Sequence, residues 1–129
     1  MSHHIHQEVE FNASPDRVYA ALTDAGHFSK LTGGAAAELS REAGGAISCF
    51  GGAIVGRTIE LVPDQRVVQV WRAGSWPAGV YSIVRFELQP NGSGTRLVFD
   101  QSGFPEAEAL HLAEGWHKMY WEPMRKFLA

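Results

Sequence analysis

At 129 residues the chain has room for one compact domain, and its 45% apolar and 19% charged content is that of a globular protein. Eleven basic residues against fourteen acidic ones leave a net charge of -3, which offers no broad positive surface for nucleic acid. No apolar stretch approaches the ~20 residues of a membrane span, Met1 to His6 lack the apolar core of a secretory signal, and one cysteine, Cys49, excludes an internal disulfide. The expectation is a single cytoplasmic domain over residues 1–129.

From Ile5 to Phe11, apolar Ile5, Val9 and Phe11 alternate with His6, Glu8 and Glu10, which predicts a half-buried strand with Gln7 as the misfit. Ser14-Pro15 supplies a helix cap and a preset first turn. Val18, Ala21, Leu22 and Ala25 follow at helical spacing up to Gly26. Phe28 and Leu31 predict one more short helical turn before Gly33-Gly34.

From Ala35 to about Ser102 the rhythm changes to short β-prone runs between turn signals, among them Gly44-Gly45, Gly51-Gly52, Pro63-Asp64 and Asn91-Gly92. Val84, Phe86 and Leu88 alternate against Tyr81, Arg85 and Glu87, and Leu97 and Phe99 against Arg96 and Asp100. These runs predict six antiparallel strands joined as hairpins. After Pro105, the residues Ala109, Ala113, Trp116, Tyr120, Met124 and Phe127 mark one face of a long helix. Pro123 lies inside it, so a bend near Met119 or a break before the last turn is expected. The order is strand, two short helices, six strands, long helix: an α+β fold with helices on one face of an antiparallel sheet.

A seven-stranded sheet twists and curls, and a helix ~10–12 Å across does not cover its concave side. Large side chains, water or a ligand must fill the rest. Trp71, Trp76, Tyr81, Phe99, Trp116 and Tyr120, with Phe86, are available either to fill that space or to wall an apolar pocket. Arg57 shares parity with Val55, Ile59 and Leu61. It therefore either projects from the apolar face, where it needs a carboxylate or an anionic ligand, or is turned outward by a bulge.

An ordered set of short elements carries a family likeness: Ser14-Pro15, Val18-Tyr19, Gly51 to Gly56, Glu60 to Pro63, Val70-Trp71-Arg72, Ser75-Trp76-Pro77, Gly94 to Leu97, Gly115-Trp116 and Tyr120-Trp121. Together they resemble the C-terminal domain of the activators of the 90-kDa heat-shock chaperone ATPase, within the START-like, birch-pollen-allergen-like superfamily. The resemblance implies a helix-grip fold, in which a curved seven-stranded sheet holds the C-terminal helix over a cavity. It implies two activities: binding a small hydrophobic molecule or lipid, or stimulating a chaperone ATPase as part of a stress response. The eukaryotic-type activators carry a separate N-terminal domain that does much of the chaperone binding, whereas this chain begins directly with its first strand. Polyketide cyclases and aromatases of the same superfamily supply a third, enzymatic reading.

The remaining motifs point away from other chemistry. Gly51 to Thr58 superficially matches a phosphate loop, but Ile59 to Pro63 continues as a strand where a helix should start. Glu108/His111 and Glu114/His117 have metal-bundle spacing on a single helix, with no facing helix to complete a site. His4 and His6 share one side of the first strand without an identifiable third ligand. Cys49 has no positive neighbour to activate it. The expectation is a non-enzymatic protein without cofactor, catalytic residue or metal. Trp71, Trp76, Tyr81, Phe99, Trp116 and Tyr120 are its ligand walls and Arg57 an anion anchor.

Overall fold

The computed structural model describes residues 4–129. Strand β1 (His4–Phe11) is followed by α1 (Pro15–Thr23) and α2 (Ala25–Leu31). Six strands come next: β2 (Glu38–Leu39), β3 (Ala46–Cys49), β4 (Ile54–Val62), β5 (Arg66–Ala73), β6 (Ser82–Asn91) and β7 (Gly94–Ser102). The C-terminal helix starts with a 3-10 turn (Glu106–Glu108), runs through α3 (Ala109–Trp116) and a π turn (His117–Trp121), and ends in α4 (Glu122–Leu128). All strand pairs are antiparallel, in the order β1-β7-β6-β5-β4-β3-β2. The chain thus forms the expected seven-stranded α+β helix-grip sheet.

Side-chain alternation assigns the two faces of the sheet. Val9 and Phe11 of β1, Leu97 and Phe99 of β7, Val84, Phe86 and Leu88 of β6, and Val67 and Trp71 of β5 are all buried under the helices. Pro15 opens α1 with its ring at the first turn, and α2 is capped by Asp24, whose carboxylate accepts from the His27 amide at 2.9 Å. The two short helices bury Val18, Ala21, Leu22 and Phe28 into the same core.

Pro123 modifies the last helix without breaking it. Its ring nitrogen cannot donate to the carbonyl four residues back, that of Met119. The preceding residues respond by opening into the π turn, in which the Glu122 amide bonds to the His117 carbonyl five residues behind it. This turn brings the adjacent Tyr120 and Trp121 both inward, so that both are buried.

Strand β4 contains a second irregularity. Its register against β5 shifts between Thr58 and Glu60, a bulge at Ile59. Before the bulge Thr58 faces the core. After it the phase reverses, Ile59 stands half exposed and Leu61 packs inward. Arg57 therefore projects from the outer, solvent-facing side of the sheet, where its guanidinium donates to the Gly44 carbonyl at 3.0 Å. The bulge alternative holds, and Arg57 is not placed to anchor an anion under the helix.

Candidate functional site

Aromatic rings occupy most of the space between the sheet and the C-terminal helix. Trp116 lies 4.2 Å, centroid to centroid, from Phe99 and 4.3 Å from Tyr120, and Trp121 stacks near it at 5.7 Å. Phe86 completes the group against Phe99 at 5.3 Å. Each large buried side chain of this kind is worth roughly 1.5–3 kcal/mol of transfer free energy.

Three of the four indoles are keyed to polar groups. The Trp116 N–H donates to Gln101 Oε1 at 2.7 Å, and Gln101 Nε2 donates to Ser82 Oγ at 3.0 Å, which in turn donates to the Trp71 carbonyl at 2.7 Å. The Trp121 N–H donates to Gln7 Oε1 at 2.7 Å, while Gln7 Nε2 donates to the Ala113 carbonyl at 3.0 Å. The Trp71 N–H makes a long 3.4 Å contact with the Tyr120 hydroxyl. The misfit Gln7 is thus a clamp between β1 and α3, and Gln101 is its fully buried counterpart on β7. Burial pushes the Tyr120 hydroxyl well above the ordinary tyrosine range.

A half-open apolar cleft of about 240 Å3 remains beyond this packed region, near the ends of β4 and β5. Trp71, Trp76, Ile54 and Phe50 form its sheet side, and Leu112, Gly115, Trp116 and Tyr120 its helix side. Ser75, Glu108, His111 and Met119 also line it, with Ser75, His111 and Met119 exposed. At Gly115 a Cβ would meet nothing within 4 Å, so the missing side chain widens the cleft. Phe50 has the left-handed φ of 54°, uncommon for a bulky residue, and is followed by Gly51 and Gly52 at φ 69° and 96°. This reversal between β3 and β4 sets the Phe50 ring against Phe28 and Tyr120, at 5.6 and 5.7 Å.

The Trp-Arg and Ser-Trp-Pro elements work together. The Arg72 guanidinium donates to the carbonyls of Trp76 at 2.6 Å, Pro77 at 3.0 Å and Val80 at 3.1 Å, and lies 5.5 Å from the Tyr81 ring centroid. It holds the loop after β5 so that Trp76 packs 5.8 Å from Trp71. Trp76 is only 5% exposed, and its buried indole N–H has no hydrogen-bond partner among the described residues.

Of the seven residues singled out in the sequence, Trp71, Trp76, Trp116 and Tyr120 come together around the cleft. Phe99 lies under Trp116, fully buried and away from the cleft lining. Tyr81 is 50% exposed on the outer face, as its alternation against Phe86 requires, and it shares a shallow groove there with Arg57, Val55 and Val70. Sequence reasoning missed Phe50, Ile54, Leu112 and Gly115. The unusual composition of Phe-Gly-Gly was the available signal for the first. Cys49 is buried, and its thiol is pushed up to about 12 by desolvation, which removes it as a nucleophile near neutral pH. Among the described residues, Glu108/His111 and Glu114/His117 do not join a cluster of three metal-ligating groups. No helix of the described residues is long and apolar enough to cross a membrane.

Comparison with known proteins places this geometry. The chain is 28% identical over 116 residues to the human "Activator of 90 kDa heat shock protein ATPase homolog 1", an alignment covering 90% of this chain and 34% of that protein. It spans about a third of the length of that curated relative. The structure superposes on that of PFC0360w, an HSP90 activator from Plasmodium falciparum, with a TM-score of 0.89, 24% identity, and 97% and 95% of the two chains covered. It also superposes on CalU16 from Micromonospora echinospora, with a TM-score of 0.82, 21% identity, and 98% and 76% covered. The family profile described as "Activator of Hsp90 ATPase homolog 1-like protein" matches residues 12–129, which take in the Arg72 loop contacts, all four indoles and the whole C-terminal helix, and the chain belongs to that family.

Proposed function

We propose that this protein binds a small, largely apolar molecule of one or two rings in the cleft between the β4–β5 end of the sheet and α3. The observation that carries the reading is the size and lining of the cleft. Its volume, about 240 Å3, lies below the roughly 300–1,000 Å3 of drug-sized sites. It exceeds the ~150 Å3 that suffices for benzene in an apolar cavity. On this reading long-chain lipids and bile-acid-sized molecules are too large for the cleft to enclose. Glu108 and His111 offer polar contacts to a substituent, and neither Arg57 nor His117 lines the cleft.

The test is a ligand-observed NMR screen with indole, naphthol, flavonoid and fatty-acid probes, repeated on Gly115→Trp. The reading expects one- and two-ring probes to bind, fatty acids not to bind, and Gly115→Trp to abolish binding while the chain stays folded. Absence of any one- or two-ring binder overturns it.

A second reading is an interaction module acting on the 90-kDa chaperone, the activity printed in the names of the relatives. An apolar patch around Trp76 and Pro77 does not serve it, because Trp76 is buried. The outer face does offer an apolar row, with Ile83 (53% exposed) paired with Val70 across β5–β6, and Tyr81 beside it. Stimulation of chaperone ATPase turnover that is lost in Ile83→Asp supports this reading, and no change in turnover removes it. A cyclase reading needs acid–base groups inside the cleft, and Glu108 and His111 are the residues to test for it.

A further inference from the structure

We propose that His4, His6 and Asp100 form a binding site for one divalent transition-metal ion on the outer face of the sheet, remote from the cleft. The strand register builds it. His6 is the cross-strand partner of Asp100, and His4, two residues earlier on β1, falls on the same face. Asp100 Oδ1 lies 2.8 Å from both His4 Nε2 and His6 Nδ1, and one donor atom from each of the three residues lies within 4.8 Å of the others. Two imidazoles and a carboxylate suit zinc, copper or nickel. Three protein ligands leave a fourth position open to solvent.

The surroundings favour this arrangement at His6. Its Nε2 lies 3.0 Å from Glu8 Oε2, so both ring nitrogens face carboxylates. A neutral imidazole carries one N–H, which leaves one of the two contacts with lone pairs facing each other. A second proton resolves this, and so does a metal ion between Nδ1 and Asp100. With Nε2–H donating to Glu8, the Nδ1 lone pair is directed at the ion, the usual outer-shell arrangement around ligating histidines. Arg85 on β6 contacts the other oxygen, Asp100 Oδ2, at 3.3 Å, and Arg96 on β7 contacts Glu8. Oδ1 is therefore the oxygen left for the ion.

Protons compete with the metal. The hydrogen bond to Asp100, then that to Glu8, raise the His6 pKa above its ordinary value. Partial burial pushes the Asp100 carboxyl up, but hydrogen bonds from His6, His4 and Arg85 together hold it below its ordinary value. Binding weakens as pH falls, because the imidazoles must be neutral and the carboxylate ionised to ligate the ion. Because β1 is an edge strand, an ion shared between His4, His6 and Asp100 ties it to β7 and stabilises the folded chain.

Zinc titration of the intact chain by calorimetry, with cobalt absorbance as a report on the ligand field, tests the site. One ion per chain is expected, with a rise in Tm, and affinity at about pH 7.5 roughly tenfold or more above that at about pH 5.5. His6→Ala and Asp100→Asn should each weaken binding roughly tenfold or more, while His117→Ala on the helix leaves it unchanged. Circular dichroism checks the fold of each variant, and His4→Gln replaces any that unfolds. Absence of saturable one-to-one binding, or wild-type affinity in Asp100→Asn, overturns the proposal.

Discussion

The side-chain amide of Gln101 on β7 accepts the indole N–H of Trp116 at 2.7 Å, inside a core where both residues are fully shielded from water. This bond sets the height at which the C-terminal helix rides over the sheet. Gln101→Leu removes it and leaves the Trp116 N–H buried without a partner. The expected cost is about 1–3 kcal/mol, read as a lower urea midpoint with an unchanged m-value.

Arg72 holds the loop after β5 through the carbonyls of Trp76, Pro77 and Val80. A lysine ammonium cannot span these acceptors as the planar guanidinium does. Arg72→Lys should release the loop and expose Trp76, shifting tryptophan emission to the red and raising hydrogen exchange between β5 and β6. Global stability should fall less than for Gln101→Leu.

Two glycines should respond in opposite directions. At Gly56 a Cβ would stand 1.8 Å from the Val70 carbonyl oxygen on the paired strand, so Gly56→Ala forces β4 and β5 apart. The expected loss is about 3 kcal/mol or more. At Gly115, in α3, a Cβ meets open space. Gly115→Ala should raise stability by about 0.5–1 kcal/mol and narrow the cleft. Thermal unfolding of the two variants side by side checks both signs.

Cys49 makes the fold sensitive to alkali. Its thiol titrates from an ordinary 9.0 in the open chain to about 12 when buried. Below 9.0 both states hold the proton and the group contributes no pH dependence. Between 9.0 and about 12 the unfolded chain releases a proton that the folded chain retains, so stability falls as pH rises. Tyr120, raised by its own burial, adds to this at the upper end. Cys49→Ala should flatten the decline in Tm above pH 9.0, and wild-type Cys49 should react with a thiol reagent only on unfolding.

The legibility of the sequence follows the range of the interactions. Strand alternation, the helix start at Pro15 and the spacing of Trp116, Tyr120 and Met124 along the last helix are local, and the structure reproduces them, although the Ser14 hydroxyl donates to Asp16 and does not cap the helix. Arg57 was ambiguous because a bulge at Ile59 reverses parity through a mismatch with β5, which no property of β4 alone announces. Tyr81 was legible, since its phase opposes that of Phe86 along the run that leads into β6. The cleft was only half legible. Trp71, Trp76, Trp116 and Tyr120 follow from composition, but Gly115 contributes by lacking a side chain. Asp100 completes the histidine pair only once the β1–β7 register is known.

The π turn at His117–Trp121 has a consequence for chain length. An α-helix advances ~100° per residue, and the wider turn absorbs one residue beyond what that advance would place. Deleting the exposed Lys118 would restore regular winding and leave Met124 and Leu128 facing the oily interior they now plug, whereas deleting the exposed Arg125 from regular α4 would rotate Leu128 away from it. Exchanging Lys118 for another amino acid would change almost nothing. The wide turn holds a spare residue and tolerates its loss, while in regular α4 a frame of one more or one fewer outweighs the chemical identity of any side chain that points to water.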